Sequence, residues 1–327
     1  LLEKKNSVLL VEAGKKERLN LTHIPAALVH TIGNKRYDWD FQTQPDPTRD
    51  NLVEKWPRGR VPGGSSAING MIFIRGAAKD YDAWEAMGNK GWGWNSVLPY
   101  FRKSEDQENG EDAFHGTGGP LSITNIRERN PLCEALIASA GRNGIPHNPD
   151  FNGASQEGVG YYQGTIRNGR RCSASYAYLR PARGRPNLTV VTDSLAEKIL
   201  FENGRAVGVD LRTGGRTVRM TCRRELVLSG GSVNSPHLLL LSGVGPAAQL
   251  RDLGIPVEAD LPGVGENLQD HYGGQITWRC TRPITMNDVM LSKRRQLAAG
   301  LRWLLLRNGP LSVPAGQAGL FTRILPS

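Results

Sequence analysis

Apolar residues along this sequence occur in short runs closed by turn residues, and these runs predict strands. Ser7–Val11 is an apolar run that ends in Glu12 and Gly14, as a strand buried in a parallel sheet does. Pro186–Thr192 is β-branched and bounded by turn residues, and Glu225–Ser229 is another apolar run. We therefore expect strands at all three positions, the first and the last of them buried.

Further runs predict a small antiparallel meander and a set of helices. Leu195–Phe201, Ala206–Leu211 and Thr217–Thr221 have strand character, and Glu202–Gly204 suits a hairpin turn. Glu105–Asp112 is expected to be an acidic, polar loop before a short strand at Leu121–Ile123. Helices are predicted at Asp80–Met87, Trp94–Lys103, Pro131–Asn143, Gly231–Leu241 and Leu291–Leu306.

The composition fits a loop-rich α/β protein of two lobes. The chain has 327 residues with 39 glycines and 20 prolines, and this length is enough to bury a substantial core. The four cysteines are widely spaced without a CxxC pair, which predicts buried thiols in a reducing compartment and neither a disulfide framework nor a zinc site. We expect no metal.

The net charge of +10 raises the question of a nucleic-acid partner. The basic residues are dispersed, in short clusters such as 167–171 and 180–185, and no nucleic-acid-binding motif accompanies them. We therefore interpret them as a solvated basic surface and expect no nucleic-acid partner. No apolar run reaches the ~18 residues that a transmembrane helix needs, whereas contact with an anionic membrane surface is left open.

The stretch Gly59–Gly70 carries the main candidate chemistry. Gly63 and Gly64 allow positive φ and a close approach of the backbone to a ligand. Ser65 and Ser66 are good N-cap residues, so the N–H groups after them would form a phosphate site. Asn69 offers a donor and an acceptor about one turn further on. An ordinary Gly-Ser turn would have the same composition.

Two other positions suit a dinucleotide cofactor. Glu12 ends the first predicted strand, where an acid can bind a ribose hydroxyl; we favour this role over the alternative of a polar strand end. Gly230 and Gly231 lie between a predicted strand and a predicted helix, which is the geometry that brings backbone N–H groups to a cofactor. A GxGxxG turn would be expected roughly 20 residues before Glu12.

Three separated motifs resemble those of the glucose–methanol–choline (GMC) family of flavin oxidoreductases, in the family's order. They are Pro57–Asn69 (PRGRVPGGSSAIN), Gly231–Pro246 (GSVNSPHLL…SGVGP) and Asp260–His271 (DLPGVGENLQDH). Tyr37–Phe41 is similar to a further family stretch that precedes the loop covering the flavin. The resemblance extends over nearly the whole chain and is weakest after about Thr281.

The resemblance implies that the cofactor is FAD and that it binds non-covalently. Some family members attach the flavin through a His directly before the Asn, but this chain has Ile68 there. The backbone of Ala196 would bind the adenine, and Pro262–His271 would close over the flavin, with Asp270 also suited to stabilising a turn. The implied cofactor-binding residues are Glu12, Arg60, Gly63, Gly64, Ser65, Asn69, Gly70, Ile72, Ala196, Gly231 and Asp270.

The implied fold is α/β, with two discontinuous domains. A Rossmann-like FAD-binding domain, a parallel sheet with helices plus the small meander, would comprise residues 1–75 and 156–271. An α+β substrate-binding lobe would comprise residues 76–155 and 272–327.

The implied activity is FAD-dependent oxidation of a primary or secondary alcohol, as in the choline and alcohol dehydrogenases of the family. The family's catalytic His, with its His or Asn partner, would lie beyond Ser327, so we assign no catalytic residue and expect this chain to be an inactive piece of a longer bacterial enzyme. The electron acceptor (oxygen, a quinone or a carrier protein) is open. We expect a cytoplasmic enzyme, with membrane association open. The alternatives are a lyase that holds FAD and a non-catalytic fragment or binding module.

Overall fold

A computed structural model describes residues 2, 6–16, 21–271 and 273–323 of the chain. The chain forms two compact units: the first comprises residues 1–16 and 186–278, and the second comprises residues 17–185 and 279–327. These boundaries differ from those of the two expected domains. The expected domains are defined by the ligand that each binds, so that division stays a prediction.

The first unit contains the strand pair predicted near its N-terminus. Val8–Val11 pairs in parallel with Leu188–Val191, with Val8 opposite Leu188. The two strands are confirmed, but Leu9 is exposed and the other residues of Val8–Val11 are half-buried, so the expected full burial is wrong. Within the described residues, no further strand pairs with either of these two.

The antiparallel meander is confirmed, and its turns explain its register. Ser194–Glu202, Arg205–Thr213 and Arg216–Thr221 form a three-stranded sheet in chain order. The first hairpin turns at Asn203 (φ 51°) and Gly204 (φ 70°). Two consecutive positive φ values define the type I′ turn, whose twist matches that of the strands it joins, and Asn-Gly is its preferred sequence.

The strand predicted at Glu225–Ser229 is wrong. These residues have no regular secondary structure, and Val227 is 62% exposed. A strand is stabilised by the hydrogen bonds to its neighbour, and no described strand pairs with this run. The helix Gly231–Leu241 follows it as predicted and is tied to the meander by Ser242, whose Oγ accepts a hydrogen bond from the Ile199 N–H at 2.8 Å.

The second unit is built around a four-stranded sheet in the order Ile72–Phe73, Gln163–Gly164, Leu121–Asn125, Glu105–Gln107. The last two strands are parallel, and the other neighbours are antiparallel. The polar loop expected at Glu105–Asp112 therefore begins as a strand. Acidic residues rarely form buried strands, but the Glu105 carboxylate is fully buried and paired with Arg75 at 2.7 Å.

The bounds of the regular elements are as follows. The α-helices are Leu28–Thr31, Ala78–Ala86, Trp94–Ser104, Pro131–Arg142, Arg180–Ala182, Gly231–Leu241, Ala247–Asp252, Met286–Met290 and Lys293–Leu306. The strands not yet named are Phe41–Gln42, Lys55–Trp56, Gly158–Tyr161, Ile166–Arg167, Arg170–Arg171, Val244–Gly245, Ala259–Asp260 and Ala318–Phe321.

The cysteine prediction is confirmed in part. All four thiols are free, and Cys172 is buried. Cys133, Cys222 and Cys280 are only half-buried, so the expectation of buried thiols is wrong for them. Spacing along the sequence cannot report which side of an element a cysteine occupies.

Candidate functional site

The segment 59–70 folds as a tight loop that leads into a single turn of 3₁₀-helix. Gly63 has φ 97° and Gly64 has φ 55°, and the turn comprises Gly64–Ala67. Val61, Ala67 and Ile68 are nearly fully buried and pack with Tyr37 in one apolar cluster. The apolar side chains of the segment thus anchor it, and its glycines give it the required shape.

Close packing fixes two of the glycines in this segment. A Cβ on Gly59 would lie 2.3 Å from the carbonyl carbon and oxygen of Gly64, and a Cβ on Gly63 would lie 3.0 Å from the backbone nitrogen of Ser175. A Cβ on Gly64, by contrast, would meet nothing within 4 Å. The space beside Gly64 is therefore open, which is what a ligand approaching the backbone requires.

The two serines close the loop and do not cap the helix as expected. The Ser65 Oγ accepts a hydrogen bond from the Gly59 N–H at 3.0 Å. The Ser66 Oγ donates to the Gly63 carbonyl at 2.6 Å and accepts from the Ala174 N–H at 2.8 Å. The capping position is held by Gly63, because the hydroxyls are used for contacts across the loop. The N-cap prediction is therefore wrong.

The segment presents hydrogen-bond donors to its exterior. Among the described residues, the backbone N–H of Ser65 and the side-chain NH₂ of Asn69 have no acceptor, and both residues are exposed. The Asn69 Oδ1, by contrast, accepts from the Met71 N–H at 3.1 Å and from Arg171 at 2.8 Å. The site can therefore bind a ligand rich in acceptor oxygens, and these residues fit the phosphates or ring oxygens of FAD.

The remaining predicted residues of this segment have structural contacts of their own. The guanidinium of Arg60 lies 4.8 Å from the ring centroid of Trp39, and the Arg60 N–H donates to the Tyr37 carbonyl at 2.7 Å. Gly70 accepts from the Ala315 N–H at 3.0 Å, and Ile72 begins the edge strand of the four-stranded sheet. The fold thus brings together the seven predicted residues between Arg60 and Ile72.

The other four predicted residues belong to the first unit. Glu12 accepts from the Gly14 N–H at 2.6 Å, and its carbonyl accepts from the Ser194 N–H at 3.1 Å, two residues before Ala196. Gly231 has φ 86° and begins its helix. Asp270 accepts from the His271 N–H at 2.8 Å in an exposed segment without regular structure. That any of the eleven residues binds a cofactor stays a prediction.

Arg171 is the residue of this site that sequence reasoning missed. The sequence predicts that Arg171 belongs to a solvated basic surface, but its side chain is 1% exposed, and burial lowers its pKa to about 10. Its Nη1 donates to the Asn69 carbonyl at 2.7 Å, to the Asn69 Oδ1 at 2.8 Å and to the Ser66 carbonyl at 3.3 Å. One feature could have indicated this burial. Arg171 pairs with the apolar Ile166 in a hairpin whose strands are two residues long, so the two side chains lie on the same face of the hairpin.

Sequence reasoning also missed a buried ionic cluster in the second unit, formed by Arg75, Glu105, His115 and Asp150. The His115 Nδ1 lies 3.2 Å from Glu105 and its Nε2 lies 2.9 Å from Asp150. Hydrogen bonds to Asp150 and Glu105 raise the pKa of His115 to about 9. Burial works against ionisation of Asp150, but its bonds from His115 and Asn152 prevail and keep its pKa below the usual value.

The residues that the structure describes lack two further kinds of feature. No group of three or more His, Cys, Asp or Glu side chains is arranged to hold a metal ion. No helix there is long and apolar enough to cross a membrane.

Parallel strands, a glycine that begins a helix and a glycine-rich loop with outward donors are features of α/β proteins of the nucleotide-binding class. Comparison with known proteins makes the class specific. The GMC oxidoreductase family profile matches residues 26–273. The chain belongs to the GMC oxidoreductase family, which confirms the resemblance that the three motifs carry.

The chain is similar to curated choline dehydrogenases. It is 42% identical to mitochondrial choline dehydrogenase of Mus musculus over 326 residues, 98% of this chain and 54% of that protein. It is 43% identical to oxygen-dependent choline dehydrogenase of Brucella anthropi over 317 residues, 97% of this chain and 57% of that protein. The chain thus spans about half the length of the curated relatives that it matches.

Solved structures agree with this assignment. Formate oxidase from Aspergillus oryzae, described in a study of FAD modification, superposes with a TM-score of 0.89 at 28% identity over 97% of this chain and 57% of that one. Pyridoxine 4-oxidase from Mesorbium loti gives 0.76 at 34% identity over 80% of this chain and 52% of that one. The predicted α/β fold of the FAD-binding type is confirmed.

Proposed function

We propose that this chain forms the FAD-binding part of an enzyme that oxidises a primary or secondary alcohol to the aldehyde or ketone. The observation that carries the proposal is the outward-facing loop at Gly64, with open space beside it and donors at Ser65 and Asn69. Bound FAD would supply the redox chemistry by accepting the hydride of the alcohol carbon at flavin N5. The choline dehydrogenases among its relatives make choline-like alcohols the first substrates to test.

The residues of this chain bind and position the cofactor in this proposal. The N–H of Ser65 and the NH₂ of Asn69 would donate to FAD oxygens, and Glu12 would accept from a ribose hydroxyl. Ile68, directly before Asn69, is 2% exposed and its hydrocarbon side chain belongs to the apolar cluster. It offers no atom for a covalent bond to the flavin, which supports non-covalent binding. We assign no acid–base role to any residue of this chain.

The visible absorption spectrum tests the proposal. The chain, and a version extended to the length of its relatives, would be purified, incubated with FAD and freed of excess cofactor. We expect the extended protein to retain FAD and to be bleached by choline or another alcohol in the absence of oxygen. A protein that retains no FAD contradicts the flavin assignment, and a yellow protein that no alcohol bleaches contradicts the oxidation.

A matched pair of glycine variants links the flavin to the loop. Gly64 and Gly33 both have positive φ, and a Cβ on either would meet nothing within 4 Å. Gly64→Ala and Gly33→Ala should therefore destabilise the fold similarly, by about 1 kcal/mol. Only Gly64→Ala should weaken FAD binding, because only its methyl group enters the proposed site. Equal affinities in the two variants would contradict this placement.

The electron acceptor is proposed from the relatives. Several of them are named oxygen-dependent choline dehydrogenases, so oxygen is the first acceptor that we propose. Oxygen uptake during alcohol turnover would support it. Turnover that needs a quinone or a redox dye, without oxygen uptake, would replace it with another acceptor.

We further propose that the enzyme works in a reducing compartment such as the cytoplasm and touches membranes at their surface. Free thiols support the compartment. On the helix Lys293–Leu306, Leu297, Leu301 and Leu305 are 66%, 50% and 76% exposed, and their spacing of four places them on one face. Arg294 adds positive charge near its start. This face would suit an anionic lipid surface.

Co-sedimentation with lipid vesicles tests the membrane contact. We expect the protein to bind phosphatidylglycerol vesicles more than phosphatidylcholine vesicles, and less after Leu297, Leu301 and Leu305 are changed to Ser. The control changes Leu132 and Leu136, two exposed leucines of another helix, to Ser. Equal binding of all three proteins, or of none, would contradict the proposal.

A further inference from the structure

Arg171 is a buried cation that the structure surrounds with neutral oxygens. It is 1% exposed, its Nε has no hydrogen-bond partner, and no described carboxylate lies within ion-pair distance. Burying a charge without a counter-ion destabilises a protein unless hydrogen bonds compensate. The compensation here comes from carbonyl oxygens of the loop and from Pro25, whose carbonyl lies 3.4 Å from Nη2. The hydrogen bonds of this arginine therefore go mainly to the loop.

The acceptors of Arg171 lie at the two ends of one loop turn. Nη1 donates to the carbonyls of Ser66 and Asn69 and to the Asn69 side-chain oxygen. Arg171 itself lies in the strand Arg170–Arg171, paired with Ile166–Arg167. A planar guanidinium on a paired strand is a rigid support, so it holds these three oxygens in fixed relative positions.

This support also decides which end of the Asn69 amide faces outward. The two N–H groups of Arg171 and Met71 both point at one atom of the amide, and only its oxygen can accept them. The NH₂ group is then left at the exposed side of the residue, where no described residue accepts from it. A loop in which the amide turned over would present an oxygen to the same space.

We propose that Arg171 is the positioning residue of the FAD loop: it holds the Ser66 and Asn69 carbonyls and fixes the Asn69 amide as an outward donor for the cofactor. The inference rests on the proposed flavin function and adds a role for a residue that touches the loop. Its charge also makes the loop electropositive, which favours the anionic phosphates of FAD.

The experiment compares FAD affinity, thermal stability and, without FAD, hydrogen exchange of the buried Met71 backbone N–H, which donates to the Asn69 Oδ1. Arg171→Met should raise the Kd for FAD by about 10- to 100-fold, since a hydrogen bond to a charged group is lost. Arg171→Lys should recover part of that affinity, because a lysine keeps the charge but not the planar fork. Arg170→Met, next along the strand and half-buried, is the matched control and should bind like the parent.

Asn69→Asp separates positioning from a general loss of fold. Its carboxylate still accepts from Arg171, so the melting temperature should be kept, but it has no NH₂ group to donate. We expect it to lose FAD affinity as Arg171→Met does. Normal FAD binding by Asn69→Asp, or by a folded Arg171→Met, would overturn the inference and leave the flavin function standing.

Exchange of the Met71 N–H distinguishes the two possible failures. If the parent binds no FAD, the proposed function fails, and the cofactor part of the inference fails with it. If the parent binds FAD but the Met71 N–H exchanges equally fast in the parent and in Arg171→Met, only the positioning role is overturned. Faster exchange and weaker binding together in Arg171→Met support it.

Discussion

The buried cluster around His115 should make the stability of the second unit depend on pH. In the folded chain the pKa of His115 is raised from 6.5 to about 9, chiefly by its hydrogen bond to Asp150 and next by that to Glu105. The folded state therefore holds a proton that the unfolded chain has released at intermediate pH. Since one pKa unit corresponds to about 1.4 kcal/mol, the protonated histidine contributes about 3 kcal/mol to the free energy of unfolding.

The direction of the effect follows from the raised pKa. The contribution is complete below about pH 6.5, falls as the pH rises, and is lost above about pH 9. At the acidic end, the lowered pKa of Asp150 means that stability is also lost once this carboxylate is protonated. The second unit should thus be most stable between these limits. Arg75 and Gln107 also contact the cluster, through Glu105 and His115 respectively.

Urea unfolding at a series of pH values measures this contribution. From about pH 6.5 to 9 the free energy of unfolding should fall by up to about 1.4 kcal/mol per pH unit. His115→Gln should be less stable than the parent near neutral pH and should lack this slope. His147→Gln, which removes an exposed histidine outside the cluster, should leave the His115 slope in place. A parent and a His115→Gln variant with the same slope would refute the reasoning.

Three further predictions concern packing and burial. Glu105→Gln removes the buried carboxylate that pairs with Arg75 and His115. It should therefore lower the free energy of unfolding, measured in urea, by about 3–5 kcal/mol. A loss below about 1 kcal/mol would contradict this. Gly59→Ala should destabilise by about 1–3 kcal/mol because its Cβ would overlap Gly64, whereas a melting temperature equal to the parent's would show that the loop can yield. Cys172 is buried, and its burial raises the pKa of the thiol. This thiol should therefore react with Ellman's reagent only after denaturation. A fourth fast-reacting thiol in the native chain would disprove its burial.

The sequence predicted those parts of the fold that neighbouring residues determine. Asn203 and Gly204 favour the type I′ turn that they form, so these two residues alone predict the first hairpin of the meander. The run 225–229 has the same apolar character as a strand, but a strand also needs a partner, and that is a property of the whole sheet. Ser65 and Ser66 failed as caps for a related reason: their hydroxyls bond to Gly59 and Ala174, which sequence spacing does not reveal.

The candidate site was predictable as a segment and not as a network. The glycines at 63 and 64 adopt the positive φ values that their sequence suggested. The support from Arg171 depends on oxygens of Asn69 and Pro25, more than 100 positions away along the chain. Burial of an arginine contradicts the usual preference of that residue type, so apart from its position opposite Ile166 no local pattern predicts it. The same holds for Glu105, whose burial depends on Arg75 and His115.

The parallel pairing of Val8–Val11 with Leu188–Val191 has a consequence for synthesis of the protein. Between these two strands the chain runs through residues 17–185, most of the second unit. The first strand leaves the ribosome long before this partner is made, at about 5–20 residues per second, so it waits roughly 10–40 s for the pairing with Leu188–Val191. The edge that this partner will cover is open to association with other chains during that time. Slow translation should therefore lower the yield of folded protein, because it lengthens this wait. Chaperones that cover nascent chains should raise the yield.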